Sequence, residues 1–133
     1  MSFLMKLVTM FTRLPEAHLA TTAEEKEAIY RFRYRVYVQE LGKPMKHADH
    51  ERKRLYEAVD DDEEHTANFY CKGSDGQITG VLRVHTYGPG EVPPELFRAC
   101  SMDKFAGVEQ LRVADWAARW STETLAAGRS SWR

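Results

Sequence analysis

The chain has 133 residues, 43% hydrophobic and 29% charged, with 8 Gly and 5 Pro. That is the size of one domain, too apolar for a disordered polymer and too varied for a fibrous one. Nineteen basic against twenty acidic residues give a net charge of -1, which removes the electrostatic footprint of a nucleic-acid binder. Two cysteines, Cys71 and Cys100, are too few for a disulfide framework and read as ordinary buried thiols in a reducing, cytoplasmic compartment. No apolar run reaches the ~20 residues that span a bilayer. A single domain over residues 1–133 without a transmembrane segment is expected.

In chain order, Phe3 to Phe11 is apolar but broken by Lys6, and reads as a short amphipathic element or strand packed on the domain, with a peripheral membrane role as the alternative. His18-Leu19-Ala20 is a first strand leading to Thr22 and Glu25, which have capping-box spacing. A helix over about 23–41 follows. Ile29, Phe32, Val36 and Tyr30, Tyr34, Tyr37, Leu41 recur at three and four residues, and Gly42 and Pro44 end it. Residues 46–54 are almost wholly polar and predict a solvated loop or short exposed helix. Ala67, Phe69 and Cys71 alternate with Asn68, Tyr70 and Lys72, and Gly73 to Gly76 supply a turn into Ile78–His85, so an antiparallel hairpin is expected, with Gly80 marking a bulge. A Gly/Pro loop, a helical piece around 95–100, a third strand at 108–113 and a helix over 116–125 complete the pattern of an α+β sheet with packed helices.

Within the long helix, Arg33 and Tyr37 share a face, where a guanidinium can stack on aromatics and still present donors to a carboxylate or phosphate. Arg31 and Arg35 share another face with Gln39. Such a run invites a nucleic-acid reading, but the helix is acidic at its start and aromatic elsewhere. Asp60 opens the acidic run Asp60-Asp61-Asp62-Glu63-Glu64 directly after the apolar Val59, so of the five it is the one placed to meet an arginine on the neighbouring helix. Arg83 stands inside the apolar Val81–Val84 and needs a partner or an exposed face. A cross-strand pair with Glu109 is the simplest structural expectation. His47, Asp49 and His50 find no matching ligands downstream, so no metal site is expected. The chain carries no nucleophile elbow, Walker loop or dinucleotide fingerprint.

Ile29–Gly42 resembles the first helix of the autoinducer-synthase branch of the GNAT (N-acetyltransferase) superfamily, which contains acyl-homoserine-lactone synthases and N-acyl amino acid synthases. Arg33 and Tyr37 match the arginine and aromatic of that helix. Asp60 or its neighbours match an acidic pair before the hairpin, Arg83 the arginine of its second strand, and Glu109 with Arg112 a Glu-x-x-Arg on the next strand. The likeness covers about residues 15–120. It implies a GNAT-like, mostly antiparallel sheet whose second half is missing, the chain being C-terminally shortened.

Departures narrow the likeness. Lys43 and Pro44 follow Gly42 where the lactone synthases place a tryptophan, which brings the N-acyl amino acid synthases closer. Ala114–Trp120 holds no glycine where the superfamily has a pyrophosphate-binding turn.

The activity implied is transfer of a fatty acyl group from an acyl carrier protein or coenzyme A thioester, as donor substrate and with no resident cofactor, to the amine of an amino acid or derivative. Glu109 and Asp60 are the catalytic candidates, Glu109 accepting the amine proton directly or through water. Arg33, Tyr37, Arg83 and Arg112 are the substrate-binding candidates. The competing expectation is an inactive half-domain that serves as an interaction module and homodimerises through an open sheet edge.

Overall fold

The computed structural model describes residues 16–121. The expectations for 3–11, for the C-terminal part of the 116–125 helix and for the tail after Gly128 fall outside them. A four-stranded antiparallel sheet is ordered β1 (His18–Leu19), β4 (Thr66–Lys72), β5 (Ile78–Tyr87), β6 (Val113–Trp120), and a small hairpin pairs β2 (Ala48–Asp49) with β3 (Arg54–Leu55). Helix α1 (Ala23–Tyr34) lies on one face of the sheet, and α2 (Pro94–Ala99) sits in the connection between β5 and β6. Among the described residues no helix is long and apolar enough to cross a membrane.

Helix α1 starts where the capping box puts it. Thr22 Oγ1 accepts from Glu25 N (3.2 Å), and Glu25 Oε2 accepts from Thr22 N (3.0 Å) and Thr21 N (2.8 Å). These backbone amides, with the Tyr70 hydroxyl on the other carboxylate oxygen, hold the Glu25 pKa down to about 2. Ile29, Phe32 and Val36 are buried against Ala20, Tyr70 and Val81 of the sheet to form the core. Burial of each large side chain contributes roughly 1.5–3 kcal/mol. The helix does not run unbroken to residue 41: Arg35–Glu40 is a π turn, in which Leu41 N reaches Val36 O (3.0 Å). Leu41, expected on the apolar face, is exposed.

The β4–β5 hairpin forms as expected, and its register slips between Cys71 and Lys72, opposite Thr79 and Gly80. Residues 46–54 are not simply a solvated loop, because Ala48 and Asp49 turn back onto Leu55 and Arg54 and bury Leu55. Two expectations near the C-terminal end are corrected. Val108–Gln110 is a 3-10 turn entered through Gly107 at φ 78°, not a strand. The reason lies in the register: Val113 already faces Tyr87 at the end of β5, so the residues before it have no partner strand. Ala117 and Arg119, read as helical, lie in β6 opposite Arg83 and Val81, because the free edge of β5 satisfies their backbone groups and overrides alanine's helix preference. Cys71 is buried as expected, its thiol donating to Gly80 O (3.6 Å), but Cys100 is exposed.

Candidate functional site

The period-two alternation of the strands turns Asn68, Tyr70, Val81, Arg83, Ala117 and Arg119 to the side of the sheet that faces α1. Arg33, on the inward side of α1, is therefore buried among polar partners. Its Nη1 donates to Asp60 Oδ2 (2.8 Å) and its Nη2 to Asn68 Oδ1 (2.7 Å), while Asn68 Nδ2 donates to Asp60 Oδ1 (3.2 Å). Asp60 is held on the 3-10 turn Ala58–Asp61, where Oδ2 also accepts from Glu57 N (3.1 Å). Arg83 forms an ion pair with Glu57, and its Nη1 lies 3.8 Å from Asp60 Oδ2. Two guanidiniums and two carboxylates thus neutralise one another where isolated charges would be prohibitively costly.

Of the residues singled out from the sequence, Arg33, Asp60 and Arg83 come together here. Tyr37 borders the same place from the π turn, a helical irregularity that recurs at functional sites. Glu109 and Arg112 do not join them. Glu109 is exposed on the turn before β6 and Arg112 is exposed just ahead of that strand. The expected Arg83–Glu109 pair is replaced by Arg83–Glu57. The physical cause is again the register of β6, which leaves both residues beyond the paired part of the sheet.

Four participants escaped the sequence reading. Glu57 was signalled by its spacing three residues before Asp60, and Asn68 by sharing the face of Tyr70. Arg119 was hidden by the helical reading of its strand. Arg54 lies between the Tyr30 and Tyr56 rings (5.3 and 5.6 Å) and pairs with Glu27 (3.0 Å). The same region perturbs its tyrosines. Burial, then the Asp60 carboxylate, pushes Tyr30 up, and hydrogen bonding to Asp61 pushes Tyr56 up to about 12.

Between α1 and the sheet a crevice of about 70 Å³ is lined by Arg33, Tyr37, Glu57, Arg83 and Arg119, with Leu55 and Val81 as apolar members. At ~30 Å³ per water, this volume admits a carboxylate or an ammonium but not a whole substrate. Arg119 stacks on Tyr37 at 4.9 Å and donates to Ala118 O (2.7 Å); among the described residues it makes no ion pair. It is the guanidinium of the crevice left to attract an anion.

No family model, characterised protein or solved structure matches this chain. Function is therefore read from the chemistry of the site itself. A carboxylate with its backbone and guanidinium partners, a second carboxylate at the crevice wall and a guanidinium that makes no ion pair among the described residues can orient a zwitterion and take up a proton from an amine.

Proposed function

We propose that this α+β domain is an N-acyltransferase, GNAT-like and of the autoinducer-synthase branch, that moves a fatty acyl group from an acyl thioester to the amine of an amino acid or derivative. The observation that carries the reading is the convergence of Arg33, Asp60 and Arg83 from a helix, a turn and a strand into one charge network, whose two arginines line the crevice. These are residues that the sequence resemblance nominated separately. Arg119 is the partner for the acceptor carboxylate and Glu57 stands across the crevice for its amine. The reaction needs a carboxylate to accept the amine proton, and Glu57 and Glu109 are its two candidates. Among the described residues β6 is the last strand in the sheet order, and backbone N–H groups on its outer edge are the donors proposed for the thioester oxygen as charge develops there.

The test is incubation of the purified protein with long-chain acyl carrier protein or acyl-coenzyme A and a mixture of amino acids, with N-acylated products read by mass spectrometry. Product formation abolished by Glu57→Gln or by Glu109→Gln, with the fold intact by circular dichroism, identifies the base. No product from any donor overturns the reading. A second reading, a non-catalytic module that homodimerises, is favoured by the eight-residue edge strand β6 and its Trp116, 68% exposed. Sedimentation at several concentrations separates the two, since a strict monomer that turns over substrate excludes the module.

A further inference from the structure

The hairpin of β2 and β3 helps to wall the crevice without belonging to the main sheet. Among the described residues its two strands pair only with each other, and an isolated two-stranded hairpin is marginally stable in water. It is therefore held by what it touches on α1. Leu55, near its end, is buried and lines the crevice with Arg33, Tyr37 and Val81. Two polar contacts fasten the rest. The Tyr34 hydroxyl and His50 Nδ1 share a hydrogen bond (3.0 Å), and Arg54 Nη2 pairs with Glu27 (3.0 Å) from its place between the Tyr30 and Tyr56 rings.

The second of these contacts is imperfect. Arg54 Nε is buried with no hydrogen-bond partner among the described residues, a cost that water removes once the side chain leaves. The chain reaches the hairpin through the irregular stretch 42–45, with Gly42 at φ 61°, and leaves it at Glu57, whose N–H is fixed on Asp60 Oδ2. Tethered at both ends and unpaired with the sheet, the hairpin has the form of a hinged element. A buried leucine and two partly exposed contacts, set against an orphaned N–H, give a unit of low local stability. The crevice supplies the need for it to move. Closed, its volume of about 70 Å³ takes a carboxylate or an ammonium but no whole amino acid.

We propose that residues 46–55 are a strap over the crevice, shut by the Tyr34–His50 and Glu27–Arg54 contacts and opening as a unit to admit the acceptor. The proposal rests on the crevice being the acceptor site, but its test needs no substrate. Val81→Cys puts a thiol in the crevice, with Cys71→Ala and Cys100→Ser removing the native ones, and its modification by N-ethylmaleimide is followed by mass spectrometry at increasing urea. Well below the unfolding midpoint the rate should be nearly independent of urea, because opening the strap exposes little surface. Tyr34→Phe with Glu27→Gln should raise this flat rate roughly tenfold. A rate that climbs along the slope of global unfolding shows that the thiol is reached only when the whole domain unfolds, and overturns the proposal. So does a flat rate that the two substitutions leave unchanged. Should Val81→Cys fail to fold, Leu55→Cys carries the thiol on the strap itself, with the same expectations. Acyl transfer without contact-dependent labelling removes the strap alone, and contact-dependent labelling without acyl transfer removes the catalytic reading alone.

Discussion

Removing the Asp60 carboxylate tests the buried network most directly. Asp60→Ala strips the partner from Arg33 Nη1, from Asn68 Nδ2 and from Glu57 N at once. The Asp60 side chain is fully buried and that of Arg33 is 7% exposed, so water does not replace the lost carboxylate. An uncompensated buried guanidinium costs about 3–5 kcal/mol, a large part of the roughly 5–15 kcal/mol that holds a domain folded. The two unsatisfied neutral donors lie in the same network, so their cost overlaps with this figure rather than adding to it. Arg33→Met with Asp60→Leu removes both charges and should cost less than about 2 kcal/mol, since a buried pair and an apolar replacement of similar volume differ little. Urea unfolding followed by circular dichroism gives both numbers, with an unchanged slope showing that the same surface is exposed. An Asp60→Ala cost below about 1 kcal/mol, or a double variant whose cost equals the sum of the single ones, would refute the reasoning.

Hydrogen bonding to Asp62 raises His65 above 6.5, and bonding to His65 lowers Asp62 below 3.8. The contribution of this pair is therefore full between those values, lost as pH rises through the raised His65 value and lost as pH falls through the lowered Asp62 value. The stability difference between the native chain and His65→Gln, measured across pH, should follow that window. Thr22→Ala removes the acceptor for Glu25 N and should lower stability by about 1 kcal/mol in urea unfolding. Gly76→Ala meets no atom within 4 Å but must hold φ at 79°, so it should cost about 1–2 kcal/mol despite the open space. Asp61→Asn should bring the Tyr56 titration down from about 12, read by ultraviolet absorbance.

The sequence showed most where a local rule and the tertiary environment agree. Thr22 and Glu25 fix the start of α1 through neighbouring backbone groups, and the alternation around Asn68 and Tyr70 survives because one face of that strand is buried. Arg33, Asp60 and Arg83 were visible as charges set among apolar residues, which need partners wherever the chain places them. Glu109 and Arg119 were misplaced for one shared reason: which stretch pairs with β5 is decided by register across the sheet, not by the propensity of Val108–Val113 or of the alanines at 117 and 118. Glu57 was overlooked because its meaning lies in Arg83, 26 residues away. The π turn left no mark that residue type alone displays.

That turn makes the spacing between Phe32 and Gly42 as important as the chemistry of the residues within it. A chain one residue shorter here would rewind to an ordinary α-helix and swing everything beyond the deletion by roughly 100°. Tyr37 would rotate away from Arg119, and the crevice would lose a wall with no charged or aromatic side chain replaced. The geometry of this segment therefore depends on residue count, and a length variant is a more damaging lesion there than many point changes.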